Sequence, residues 1–294
     1  METIKNLNLL KERLLANYKK KNTPFFVNVS GASGSGKTTI SKDISNIFKD
    51  NSTVFSMDNY MRGQKFVDEI LKKNTCSYGW DDIRVFDLQM VSDHLYKIQN
   101  NESVSQPIFD RKRSERSEHE FNFINPNDLI IIDGIHSLHP LVGKFADISI
   151  IVECSLHDRL WRRAVRNLCD NRYGAKSLDK IITNYLFKVE PSFKEYEADY
   201  LKVADISFVN HEINFDFKHI RPQISEYICY SEIFSLSPFP EVGEKNVLEN
   251  IRVFSSLNNK YLLYYFKGIP LIGQQISQVC FELLQNYYFF KKIQ

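Results

Sequence analysis

The chain lacks any apolar run long enough to cross a bilayer, which excludes a helical membrane protein. It has almost no excess of charge of either sign. The 38 Lys and Arg against 36 Asp and Glu leave a net charge of +2, too little for a global field that would draw it to nucleic acid or an anionic membrane. Cysteine is scarce, and Cys76, Cys154, Cys169, Cys229 and Cys280 are odd in number, widely spaced and contain no C-x-x-C pair. That argues against a zinc site and for thiols kept reduced in the cytosol. No repeat, low-complexity tract or Pro/Gly linker interrupts the 294 residues, enough for a sizeable core. The first 23 residues lack the h-region and cleavage site of a signal peptide. They predict an amphipathic helix packed on the core, with Ile4, Leu7, Leu10, Leu14 and Leu15 on one side.

Glycine is sparse except in one place. GASGSGKTT, from Gly31 to Thr39, satisfies G-x-x-x-x-G-K-[ST], with a β-rich apolar run (Pro24 to Ser30) before it and helical spacing after it. A strand, a glycine loop and a helix make a phosphate cradle, spanning Gly31, Ala32, Ser33, Gly34, Ser35, Gly36, Lys37, Thr38 and Thr39. The glycines let backbone N–H groups turn inward, the helix N-terminus adds partial positive charge, Lys37 reaches the β/γ-phosphates and the Thr38 hydroxyl is placed for Mg²⁺. The nucleotide expected is ATP.

Strand-like runs alternate with helical segments downstream: STVFSM before Asp58, DLIIID ending at Asp133, ISIIVEC, and DISFV. This predicts an α/β fold of three layers around a parallel sheet, with ligands beyond the carboxyl ends of the strands. Asp58 and Asp133 both fall at that edge. Asp133, followed by Gly134, has the Walker B arrangement of a Mg²⁺ carboxylate, and Asp58 is placed to take a proton from a hydroxyl that attacks the γ-phosphoryl group. Arg159, Arg162, Arg163 and Arg166 recur at i, i+3, i+4 and i+7, which predicts a helix with an arginine face suited to a transferring phosphate, a mobile lid continuing to Arg172. The basic run Arg111 to Arg116, offset by Glu115, Glu118 and Glu120, reads as a strand-turn-strand excursion, with no aromatic interleaving to suggest nucleic acid.

In order, these residues resemble the uridine kinase and phosphoribulokinase family of P-loop kinases, over roughly Pro24 to His211. SMDNY is similar to the family's S-x-D-x-F/Y element, which implies that Asp58 is the catalytic base and places Tyr60 beside the substrate. WDD resembles the stretch that meets the nucleoside, so Trp80 and Asp81 become substrate contacts, Asp81 to the ribose hydroxyls. QPIFDRKRSER resembles the substrate hairpin, with Phe109 and Ser114 where uridine kinases carry Tyr and His. RLWRRAVRN resembles the lid helix, implying phosphate and substrate contacts for Arg163 and Arg166, with Arg172 at the nucleotide. A narrower resemblance is to bacterial uridine kinase-like proteins, which carry EGIHGLNP where this chain has DGIHSLHP. Many of them have a TGS-type domain in front, and none is expected before Pro24 here.

The organisation expected is an N-terminal helix over 1–23, a kinase domain over 24–211 and a mainly helical extension over 212–294. The activity implied is ATP- and Mg²⁺-dependent phosphorylation of a small-molecule alcohol, most directly the 5′-hydroxyl of a ribonucleoside, in the cytoplasm. Partners implied are the small-molecule substrate, with no nucleic acid or membrane and with homo-oligomerisation left open. The departures in the hairpin leave a kinase for another sugar or polyol as the alternative. A nucleotide-binding regulatory ATPase is a further alternative, although no N-K-x-D motif of a GTPase switch is present.

Overall fold

In the computed structural model the residues described are 1–18, 22–48, 51–73, 78–111, 113–169, 181 and 184–210. The expected extension over 212–294 and Arg172 lie outside them. The described residues fall into two compact units, one drawn from Met1–Cys154 and Leu186–His211 and the other from Ser155–Tyr185.

The first unit is built on a six-stranded, all-parallel sheet. Its strands are β1 (Glu2–Ile4), β2 (Phe25–Ser30), β3 (Ser52–Ser56), β6 (Leu129–Asp133), β7 (Ile148–Glu153) and β8 (Ile206–Val209), in the order β1-β8-β7-β2-β6-β3. Two strands, β4 (Val104–Asp110) and β5 (Glu115–Ile124), stand apart as an antiparallel hairpin. The central strands are apolar on both faces, as burial in a parallel sheet demands. Alternate residues divide between two layers: Phe25, Val27, Val29, Leu129 and Ile131 pack with Leu10 and Leu14 of α1 (Leu7–Asn17) and Ile40 and Ile44 of α2 (Lys37–Phe48). Phe26, Ile130 and Ile132 face Val91, Leu95 and Ile98 of α4 (Leu88–Gln99), while Ile151 meets Phe193 and Tyr200 of α7 (Glu190–Val203). Two shorter helices, α3 (Gln64–Lys73) and α5 (Pro140–Gly143), follow the ends of β3 and β6.

The N-terminal segment departs from a single amphipathic helix. Residues 2–4 pair in parallel with β8 at the sheet edge, so Ile4 is buried as a strand residue, and on α1 only Leu10 and Leu14 turn inward while Leu7 and Leu15 are exposed. A parallel edge strand offers Ile4 backbone partners that a longer helix would forgo.

The chain order reverses at β2. From β2 it crosses to β3 and back to β6 on one side, then passes to β7 and β8 on the other. In such sheets the crevice at the reversal, beyond the strand ends, receives ligands. The glycine loop occupies that crevice.

Candidate active site

The loop's shape depends on glycine at its first position. Gly31 has φ of +146°, and a Cβ there would lie 2.6 Å from the Val152 carbonyl oxygen and 2.8 Å from Ser35 Oγ. No other residue lets the backbone pass so close to β7. A turn from Ser35 N–H to the Ala32 carbonyl (3.0 Å) closes the loop, and Asn210, just beyond β8, donates its side-chain amide to the Ser35 carbonyl at 2.8 Å. α2 begins at Lys37, so its first N–H groups open onto the crevice. Lys37 Nζ donates to the Ala32 carbonyl at 3.5 Å, folded back across the loop.

Thr38 and Asp133 meet as the sequence suggests. The Thr38 hydroxyl donates to Asp133 Oδ2 at 2.8 Å, while Oδ1 is buried without a hydrogen-bond partner. Burial raises the Asp133 carboxyl above its ordinary range; the Lys37 ammonium and the Thr38 and Ser41 hydroxyls pull it back, and the Asp58 charge adds to the rise. A buried carboxylate with one oxygen lacking a well-formed hydrogen bond, beside hydroxyls and an ammonium, fits a divalent cation as a further partner.

Asp58 lies on a 3-10 turn (Met57–Tyr60) directly after β3. β3 neighbours β6, and that turn packs so closely on the end of β6 that a Cβ on Gly134 would sit 2.6 Å from Met57 Cβ. Glycine after Asp133 therefore brings the two carboxylate-bearing segments side by side. The Asp58 side chain is 42% exposed and pairs with Arg111 of the hairpin, Nη2 to Oδ2 at 2.6 Å.

The hairpin is fastened to the Asp58 turn along its length. Asn59 donates to Gln106 Oε1 at 3.1 Å and accepts from Phe109 N–H at 3.4 Å, Gln106 reaches the Ser56 carbonyl at 3.3 Å, and Gln64 N–H donates to the Ser114 carbonyl at 2.9 Å. Arg116 binds the Met61 and Tyr60 carbonyls and sits 3.4 Å from Asp87. Sequence reasoning missed the ties made by Asn59, Gln106, Arg111 and Arg116; the basic run was the one signal that pointed near them.

The expected substrate contacts have these surroundings in the structure. Tyr60 is fully buried, stacked on Phe55 with its hydroxyl 2.8 Å from His94 Nδ1, because the 3-10 turn rotates it into the core while Asp58 stays outside. Phe109 is 7% exposed, packed with Met61, Val85 and Phe86 and edge-on to Trp80 at 5.7 Å. Ser114 occupies the hairpin turn with φ of +57°. Asp81 is half-buried, and its carbonyl accepts from the Ser192 hydroxyl. Next to it, Asp82 is buried and pairs with Arg84 at 2.6 Å.

The second unit holds α6 (Leu156–Cys169), which carries the arginines. They do not share one environment: Arg159 and Arg163 are buried, Arg162 is intermediate and Arg166 is exposed. Arg159 donates to the Tyr185 hydroxyl at 3.2 Å and the Arg163 guanidinium lies 5.8 Å from the Tyr185 ring centroid. An aromatic face thus relieves part of the repulsion between neighbouring guanidiniums.

The family model for the Phosphoribulokinase / Uridine kinase family matches residues 26–214. The chain belongs to this family. Among relatives, the uridine kinase of Chlamydia pneumoniae is 30% identical over 181 residues, 61% of this chain and 79% of that protein. The uridine kinase of Alkaliphilus metalliredigens is 29% identical over 189 residues, 63% of this chain and 86% of that protein. The fold is also that of a candidate fructose transport system kinase from Silicibacter sp. TM1040, with a TM-score of 0.58 at 21% identity over 69% of this chain and 98% of the other. A possible uridine kinase from Bacillus stearothermophilus gives 0.51 at 16%, covering 69% and 96%. Membership explains why the phosphate loop, the Thr38–Asp133 pair and Asp58 line one sheet edge: the family is one of P-loop kinases.

Proposed function

We propose that this protein transfers the γ-phosphoryl group of ATP to a hydroxyl of a small molecule, with Asp58 as the base. One observation carries the reading: Asp58 and the Thr38–Asp133 pair sit on adjoining strand ends beside the phosphate loop, packed too closely for any residue but glycine at 134. Lys37 binds the β/γ-phosphates, and Thr38 and Asp133 hold Mg²⁺. When bound, the metal supplies positive charge to the phosphate oxygens. Asp58 takes the acceptor proton as the new O–P bond forms and the bond to the β-phosphate oxygen breaks, releasing ADP. The family resemblance assigns Arg163, Arg166 and Arg172 to phosphate charge. Among the described residues no helix is long and apolar enough to cross a membrane, and a cytoplasmic location is part of this reading.

For the acceptor, a ribonucleoside 5′-hydroxyl is supported by the relatives named uridine kinase and by the resemblance of Trp80 and Asp81 to the stretch that meets the nucleoside. A sugar or polyol alcohol is the second reading, favoured by the burial of Phe109 and Tyr60, which withdraws the aromatic faces expected to meet a base. ATP consumption with a panel of nucleosides and sugars separates the two. Lys37→Ala should weaken ATP binding and turnover together. Asp58→Asn should bind ATP normally and lose about 10²-fold in kcat. Wild-type kcat in Asp58→Asn would remove the base from the mechanism.

A further inference from the structure

We propose that Arg111 is a positioning residue for Asp58, holding one carboxylate oxygen so that the other is presented to the acceptor hydroxyl; this rests on the reading of Asp58 as the base. A carboxylate on a 3-10 turn with half its surface in water has several side-chain orientations open to it, and only some aim an oxygen at the incoming hydroxyl. The base of a proton-transfer site is characteristically oriented by a third group. Here that group is the Arg111 guanidinium, 2.6 Å from Oδ2, a charge-assisted contact of short length. Oδ1 is left to receive the proton.

The pair could be an incidental surface bridge, and its exposure, 41% and 42%, is that of a bridge worth little to stability. The backbone that delivers it is not incidental. Arg111 follows β4 directly, and β4 is tied to the Asp58 turn through Asn59, Gln106 and Phe109 N–H, while beyond the tip Ser114 and Arg116 are clasped to Gln64, Met61 and Tyr60. With both ends of the hairpin tip fixed to the segment that carries the base, the arginine reaches Asp58 from a set position. The two residues are 53 apart in sequence, so only the closed hairpin brings them together. A contact of small energy in a fixed frame contributes little to folding and much to orientation, because a misplaced reacting group costs rate out of proportion to its binding.

Arg113 supplies the control. It lies on the same tip, is 86% exposed and pairs only loosely with Asp110 at 3.6 Å. The experiment measures ADP formation by the full chain, with uridine as acceptor and with water alone, for wild type, Arg111→Gln, Arg111→Lys, Arg113→Gln, Asp58→Asn and the Asp58→Asn/Arg111→Gln double variant, alongside ATP affinity and melting temperature. Arg111→Gln should lower kcat about tenfold with ATP affinity and melting temperature unchanged, and Arg111→Lys should recover part of the loss, since a point charge orients less well than a planar fork. In the double variant the loss should equal that of Asp58→Asn alone, because a residue that acts only through Asp58 has nothing left to act on. Equal kcat for Arg111→Gln and Arg113→Gln would overturn the proposal while leaving Asp58 as the base, and so would losses that multiply in the double variant. Wild-type turnover in Asp58→Asn would overturn both. If uridine is not an acceptor, the same cycle is run on the water reaction, where the same losses support the proposal and the same equalities overturn it.

Discussion

In the proposed mechanism the phosphate side of the crevice and its acceptor side are built from different materials. On the phosphate side the frame is backbone: a loop whose path needs Gly31, a helix that starts at Lys37 and presents Thr38, and a strand end that sets a buried Asp133 against it. On the acceptor side it is side chains, on a two-stranded hairpin outside the main sheet and a 3-10 turn, with a half-exposed ion pair at the centre. A phosphate looks the same in every nucleotide, so a backbone cradle serves it whatever the other substrate. Acceptors differ, and side chains on a separate hairpin can change without disturbing the sheet.

The largest expected effect tests whether Phe109 belongs to the core rather than to the acceptor. Its burial with Trp80, Met61 and Phe86 predicts that Phe109→Ala loses about 3–5 kcal/mol of stability in a urea titration, as deletion of a packed aromatic does. Phe109→Leu should recover most of this and leave the acceptor KM near wild type. An Ala variant as stable as wild type but with a raised acceptor KM would put Phe109 back at the substrate and blur the contrast between the two sides.

The two sides are also unequally legible in the sequence. Residues 31–39 are contiguous, and strand, glycine loop and helix follow one another with a period that can be read directly. Asp133 needs only a strand ending. The burial of Tyr60 and Phe109 is harder to read, because an aromatic beside a functional residue has the same letter whether it faces a ligand or the core; a 3-10 turn buries the one and packing on Trp80 the other. Arg111 is invisible as a site residue because its meeting with Asp58 depends on hairpin register, which shifts between Pro107 and Phe109. The strand Glu2–Ile4 is too short for any period to show.

A middle-sized effect belongs where the two sides touch. A Cβ at Gly134 would fall 2.6 Å from Met57 Cβ, a main-chain-anchored atom that cannot swing away as a side-chain tip would. Gly134→Ala should therefore cost about 1–3 kcal/mol as overpacking and, by parting Asp58 from Asp133, lower kcat more than it lowers ATP affinity. Crystallography of the variant with unchanged spacing of the two carboxylates, and full activity, would show that the close packing is not what joins the halves.

The smallest effect concerns His136, which follows Gly134 by two residues and is wedged edge-on among Phe86, Tyr196 and Tyr200, its Nδ1 2.9 Å from the Tyr200 hydroxyl and its Nε2 buried without a partner. Desolvation pushes its pKa from 6.5 down to about 3, with the charges of His139 and Lys37 pushing the same way and Asp82 opposing them. Below 6.5 the unfolded chain binds a proton that the folded chain refuses until about 3, so stability falls as pH drops through that window and little of this loss occurs above it. Between pH 6.5 and 5.5 the loss should be about 1 kcal/mol from this residue. His94 and His139 are also shifted downward by burial and add to the slope, so the comparison is between wild type and His136→Gln, which does not titrate and still offers Tyr200 a hydrogen-bonding group. Stability should be measured by urea titration at half-unit steps from pH 7.5 to 5. The variant's absolute stability matters less than its slope, which should be shallower than wild type by that amount. Superimposable slopes would mean that His136 takes its proton while the protein stays folded, and that the packing between the loop after β6 and α7 opens to water far more readily than its burial implies.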